Sequence, residues 1–271
     1  MLEAEMIEEL GEYIEHLEEK FDVEEFEVDD SEEVDESEVE EFYYYTTAAT
    51  AKTIVLAGAI PPSLEASGDY VPHGDGVYLT TLDPSYGRNV IMENNWGSDV
   101  EGNDRNIEVY IKVMMQTRMI VRAEDRRDIQ VHDGPLELSD YQWSLRSFSG
   151  ALLATEHFKV SSVGEAAVLK SSLMGRYRLM RNVVTHGGNF VYEKEEGGSY
   201  LYKNAEDAWI VGKNLYKNAD DAWIVGHEDA ELCQEFEDDS LEHTWLYKLS
   251  TGEWKVDPTL TINTCYLARD S

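Results

Sequence analysis

The feature that most limits how this chain can fold is a twelve-residue segment that occurs twice. Leu201-Tyr202-Lys203-Asn204-Ala205-Glu206-Asp207-Ala208-Trp209-Ile210-Val211-Gly212 recurs at 215–226, and the two copies differ only at Glu206 versus Asp220. Each copy reads apolar run, polar turn, apolar run, which is the pattern of a β-hairpin. A diverged third copy runs from Leu246-Tyr247-Lys248 to Trp254-Lys255-Val256. The spacing is too short for the usual solenoid classes. The pattern therefore predicts a small all-β meander over 166–271, with Trp209, Trp223 and Trp254 packed in one core.

Upstream the pattern changes character. Residues 1–41 hold 21 Asp and Glu against one Lys, a large share of the formal charge of −34. Leu2, Met6, Leu10, Ile14, Leu17 and Phe21 recur every three or four residues and predict one amphipathic helix face. From Glu24 to Glu41 the acidic density predicts a disordered linker. Such a charge repels phosphate backbones and anionic lipid, so neither nucleic acid nor a membrane surface is an expected partner. A protein partner, and a basic one in particular, remains compatible. No apolar run approaches the roughly 20 residues of a membrane span, and no secretory leader is visible. With two isolated cysteines, Cys233 and Cys265, the chain reads as cytoplasmic.

Residues 42–148 predict a mixed α+β domain. Phe42-Tyr43-Tyr44-Tyr45 is a strand, Thr46 or Thr47 caps a helix through Ala57, and Gly58 ends it. Gly74-Asp75-Gly76 is a loop, Val77 to Leu82 a strand, and Asp83-Pro84 the start of a second helix near 85–95. Ile107, Val109, Ile111 and Val113 alternate with polar residues as a half-buried strand. Another strand covers 128–132, Gly134-Pro135 breaks it, and apolar character resumes at Leu136, Leu138 and Trp143. Residues 149–165 read as a connector to the β-rich half.

Two stretches carry a resemblance. Tyr44-Tyr45-Thr46, followed by a helix, and then Gly76-Val77-Tyr78-Leu79-Thr80 with Leu82-Asp83-Pro84, resemble the ADP-ribosyltransferase toxin domains of the His-Tyr-Asp class over about 42–148. Gly76-Val77-Tyr78 is also similar to the Gly-x-Tyr stretch of the poly(ADP-ribose) polymerases. The resemblance implies an ADP-ribosyltransferase-like split sheet with two helices, and NAD as the bound substrate. It implies that Tyr78 stacks nicotinamide and that Glu137, an acid between two leucines, stabilises an oxocarbenium-like transition state. Asp133 and Asp140 flank Glu137 and offer the same chemistry. Tyr44, Tyr45, Thr46, Gly76 and His73 would bind the cofactor, with Asn94, Asn95 and Trp96 near the same cleft. The chain departs from the family at Tyr44, where the family has His. A tyrosine hydroxyl still bonds a ribose hydroxyl, but from farther out.

The β-rich half resembles a module of invertebrate proteins that opens on Met-Gly-x-Tyr, here Met174-Gly175-Arg176-Tyr177, and closes on Trp254-Lys255-Val256-Asp257-Pro258-Thr259-Leu260. That module carries a single such hairpin, so the second copy is a departure. No P-loop, dinucleotide-binding glycine motif, zinc spacing or nucleophile elbow is present. Two functions follow. One is an NAD-dependent ADP-ribosyltransferase acting on a protein or hydrolysing NAD. The other is a non-catalytic interaction protein using the same surfaces.

Overall fold

The computed structural model describes residues 39–64, 74–97, 107–122, 127–185, 187–204, 207–213, 216–217, 223–224, 230–236 and 243–265. The acidic helix and linker expected over most of 1–41, and His73, lie outside the described residues. Residues 39–271 group as one compact unit.

The dominant architecture is antiparallel β, which corrects the α+β expectation. A four-stranded sheet has the order β1-β4-β8-β9, formed by β1 (Val39–Thr46), β4 (Val109–Gln116), β8 (Gln142–Ser147) and β9 (Leu152–Thr155). Between β1 and β4 lie β2 (Ala59–Ile60) and β3 (Val77–Leu79); between β4 and β8 lie β5 (Val121–Arg122), β6 (Gln130–His132) and β7 (Leu136–Glu137). These short strands make two small ladders, β2-β7 and β3-β6-β5.

A nine-stranded sheet curls into a half-barrel. It contains β10 (His157–Ser161), β11 (Gly175–Val184), β12 (Phe190–Lys194), β13 (Tyr200–Lys203) and β14 (Trp209–Gly212). It continues with β17 (Ala230–Phe236), β18 (His243–Lys248) and β19 (Trp254–Val256), while β20 (Thr261–Thr264) returns to pair with β10. Three α-helices are described: α1 (Ala48–Ala57), α2 (Arg88–Trp96) and the short α3 (Glu165–Leu169). They decorate the sheets and do not split one. The expected connector at 149–165 is itself β9 and β10, separated by Glu156 alone.

Local chemistry explains the elements that were legible. The Thr47 side chain accepts the Thr50 N–H and caps α1, and Gly58 at φ +86° closes it with its N–H on the Ile54 carbonyl. Gly58 is also a packing necessity, because a Cβ there would lie 2.5 Å from Arg181 Nη1. That guanidinium donates to the Val55 carbonyl at 3.2 Å and to Glu156 at 2.6 Å. It thus places a cation at the negative end of α1 and fastens the helix to β11.

One apolar cluster runs through both sheets. It includes Phe42, Ile54, Val55, Ile111 and Trp143 on one side and Phe158, Tyr177, Tyr192, Leu201 and Val211 on the other. A second, smaller cluster lies on the other face of the half-barrel around Val183, Val191, Tyr202 and Ile210. The alternation along β13 and β14 produces this: Leu201 and Val211 face the shared core, and Tyr202 and Ile210 face away from it. Trp209 packs with the shared core and Trp254 against the smaller cluster, so these two indoles do not meet in one core.

The repeat is treated unequally. The first copy is β13-β14 inside the sheet, and β14 pairs directly with β17 through Ile210–Cys233 and Val211–Leu232. The second copy forms β15 (Tyr216–Lys217) and β16 (Trp223–Ile224), a separate two-stranded ladder. A shared sheet has one slot between β12 and β17, and a fourteen-residue unit can be looped out of it at small entropic cost. Deleting 213–226 should therefore leave the near-ultraviolet dichroism unchanged and shift Tm by less than about 3 °C. A large loss in a melting experiment would show that the second hairpin contributes to the core.

Among the described residues no helix is long and apolar enough to cross a membrane.

Candidate functional site

The residues expected to bind and cleave NAD are placed by three different ladders. Tyr44 and Tyr45 are neighbours in β1, opposite Ile111 and Tyr110 of β4. Successive residues of a strand face opposite sides. Tyr44 is half-buried against the shared core beside Phe42. Tyr45 points the other way, into a third cluster with Tyr43, Ile91, Ile107 and Tyr110. Its hydroxyl donates to the Leu82 carbonyl at 2.8 Å, and burial pushes its phenol well above the usual range. Thr46 ends β1 opposite Val109.

Tyr78 lies in β3 between buried Val77 and Leu79 and donates its hydroxyl to the Gly74 carbonyl at 2.6 Å. The bridge Tyr43–Thr80, with both backbone hydrogen bonds formed at 2.8 and 3.2 Å, sets β3 beside β1. Carried along the two strands, that register puts Tyr45 across from Tyr78 and Tyr44 across from Leu79. Tyr44 and Tyr78 therefore occupy opposite faces. Glu137 is exposed in β7 opposite Ala59, between fully buried Leu136 and Leu138. Gly76 is required for packing, since a Cβ would lie 2.6 Å from Val131 Cγ1 and 2.8 Å from the His132 carbonyl.

Asp128, which the sequence did not single out, organises the turn after β3 together with Thr80, Thr81 and Asn94. The Asp128 carboxylate accepts from the Thr81 N–H and hydroxyl, both at 2.7 Å, and from the Thr80 hydroxyl at 2.9 Å. Asn94 of α2 donates to Thr80 Oγ1 and to the Asp128 carbonyl, and accepts the Asp128 N–H at 2.7 Å. Burial alone would raise the Asp128 pKa, but the bonds from Thr81 and Thr80 outweigh it and hold it below the usual carboxylate range. The network holds α2 to the β3-β6 ladder. No periodicity marks it, because its partners lie 14 to 48 residues apart.

The chemically distinctive pocket is elsewhere, between the start of α1 and the β12-β13-β14 segment. Its volume is about 210 Å³. Val109, Leu145 and Leu153 of the four-stranded sheet form an apolar floor, and Phe190, Tyr192 and Trp209 form an aromatic wall. Trp209 and Tyr192 both stack edge-on to Phe158, at 4.9 Å between centroids in each case. Lys52, Lys203 and Asp207 supply the charges.

Lys203 is neutralised by both Asp207 oxygens, at 2.9 and 3.0 Å, and its ammonium lies 5.4 Å from the Trp209 ring centre. Lys52 differs. Among the described residues Lys112, Lys170, Lys194 and Lys255 each hold a carboxylate, whereas none lies within ion-pair distance of Lys52. Its ammonium sits instead against Gly188, where a Cβ would approach to 2.6 Å. Gly188 has φ +78° and is the turn residue that makes this room.

A larger groove of about 600 Å³ beside β10 and β11 is the contrasting case. Its cations are paired: Arg178 with Glu156 at 3.4 Å, a carboxylate that also holds Arg181 nearby at 2.6 Å, and Lys194 with Glu196 at 3.1 Å. At its rim Arg176 meets Glu195 at 2.8 Å. His157 lies 3.7 Å from Glu195, and burial lowers its pKa against the pull of the neighbouring acids.

No family model matches the chain. Searches of curated proteins and of solved structures also return no match.

Proposed function

We propose that this protein is a non-catalytic binding protein whose pocket between α1 and β12-β14 takes a small anionic ligand with an apolar body. The observation that carries this is Lys52, whose ammonium lines a largely apolar pocket and pairs with no described carboxylate, the one carboxylate lining that pocket, Asp207, being held by Lys203. A carboxylate or phosphate at Lys52 forms a charge-assisted hydrogen bond. The apolar body then covers Val109, Leu145 and Leu153 beneath Trp209. About 210 Å³ is the room of roughly seven waters at ~30 Å³ each, which suits a fragment-sized ligand. Affinities for such ligands fall at roughly 10 μM to 1 mM.

The test uses benzoate and phenyl phosphate as probes and benzyl alcohol as the neutral control. Either anion should shift the Trp209 indole signal and bind at least about tenfold more tightly than the alcohol, a difference of ~1.4 kcal/mol. Lys52→Ala should remove that preference. Equal binding of charged and neutral probes, or an unaltered Lys52→Ala variant, overturns the proposal.

The same reading ranks binding above NAD cleavage, because Tyr44 and Tyr78 lie on opposite faces and Glu137 lies on another ladder. Nicotinamide release from NAD in the presence of the chain should match NAD alone. Release above that level would return the chemistry to Tyr78 and Glu137.

A further inference from the structure

Within the twelve-residue unit the two copies are interchangeable in every residue that the sheet pairs; the strand position just ahead of it, Tyr200, is the exception. Copy one contributes Leu201 and Tyr202 to the pairing with β12, and Ile210 and Val211 to the pairing with β17. At the same offsets copy two carries Leu215, Tyr216, Ile224 and Val225. The pocket residues Lys203, Asp207 and Trp209 recur as Lys217, Asp221 and Trp223. We propose that the chain exchanges the two hairpins, so that the second copy can enter the slot between β12 and β17 while the first is looped out.

What sets the balance is the flanking sequence. Ahead of copy one stand Ser199, which is buried and accepts the Lys194 N–H, and Tyr200, which pairs with Glu193 and packs on the outer cluster. Ahead of copy two stand Lys213 and Asn214. Placing copy two in the slot substitutes a lysine and an asparagine for those contacts, and lengthens the β12 turn while shortening the approach to β17. The loop costs nearly cancel, since each doubling of loop length changes closure free energy only slightly. The first copy therefore wins, and the second arrangement is a minor state of the size such equilibria show, about 0.1–10 %. Exchange within one chain also outcompetes swapping between chains, because the spare copy is tethered.

The experiment forces the exchange. Val211 is fully buried in the shared core, paired with Leu201 and Leu232. An unpaired carboxylate cannot be accommodated there. Val211→Asp should still unfold cooperatively, with Tm lowered by less than about 10 °C, because the second copy takes the slot. Val225→Asp should be silent. The double variant Val211→Asp/Val225→Asp should lose the cooperative transition. If Val211→Asp fails as completely as the double variant, exchange does not occur. A double variant that folds as well as Val211→Asp also overturns the proposal, because the slot then needs neither valine. These arms read folding alone, so they stand or fall apart from the ligand reading. Phenyl phosphate binding by folded Val211→Asp asks separately whether the pocket is rebuilt.

Discussion

Asp257→Ala is expected to destabilise the protein by about 2–6 kcal/mol, which for a chain of this size lowers Tm by roughly 5–20 °C. Asp257 is 3 % exposed and its carboxylate accepts four hydrogen bonds. Two come from hydroxyls, Ser162 at 2.8 Å and Thr259 at 2.7 Å, and two from backbone, Thr259 N–H at 2.9 Å and Ala166 N–H at 3.1 Å. The hydroxyls can turn to each other, since Ser162 and Thr259 already lie 2.9 Å apart. The two N–H groups cannot, and each orphaned donor costs about 1–3 kcal/mol. Gly164 belongs to the same clasp, because a Cβ there would lie 2.7 Å from the carboxylate. The clasp joins the start of α3 to the turn that sends β20 back to β10. Asp257→Asn keeps one acceptor and should fall between wild type and Ala. A loss below about 1 kcal/mol for Ala in chemical denaturation would mean that water replaces the carboxylate.

The same carboxylate gives a pH signature. Burial would raise its pKa, but the bonds from Thr259 and Ser162 prevail and hold it below the usual value. A group depressed in the folded state contributes stability above its unfolded pKa, near 3.9, and loses it as pH falls through the folded value. The stability gap between wild type and Asp257→Asn should thus be constant from pH 5 to 7 and close below about pH 4. Asp128, depressed for the same reason, should behave likewise.

The parts of this fold legible in the sequence are those whose causes are local. The Thr47 cap, Gly58 and the alternation Val109–Val113 each act over a few residues, and they mark α1 and β4 correctly. The hairpin repeat is legible as hairpins, but which copy occupies the sheet depends on Ser199 and Tyr200 finding partners in β12. Residues 149–165 read as a connector because Leu152 to Thr155 and His157 to Ser161 are short, and because β10 finds its partners farther along the chain, in β11 and β20, although β9 pairs locally with β8. Whether Tyr78 shares a face with Tyr44 turns on a one-residue register set by the Tyr43–Thr80 bridge, 37 positions apart. Spacing along the chain cannot show that. The pocket was likewise illegible: Lys52 and Trp209 come from opposite halves of the chain, and the fold brings them to one pocket.

Tyr192→Ala should cost about 3–5 kcal/mol and lower a single unfolding transition by roughly 6–20 °C. The side chain is fully buried, and burial pushes its phenol far above the usual range. Its ring lies 4.9 Å from Phe158 and 6.3 Å from Trp209, so it packs within the half-barrel. Its hydroxyl accepts the Thr155 N–H at 3.3 Å, and the Thr155 hydroxyl donates to the Trp143 carbonyl at 2.9 Å, so it also reaches the four-stranded sheet. A residue that belongs to both sheets must weaken both when removed. Melting followed by far-ultraviolet and by near-ultraviolet dichroism should therefore coincide in wild type and move together in Tyr192→Ala. Tyr192→Phe keeps the ring and should lose only the hydroxyl's share, about 0.5–1.5 kcal/mol. Two resolved transitions in wild type, with only one of them moved by Tyr192→Ala, would show instead that the sheets unfold independently and that the shared core does not couple them.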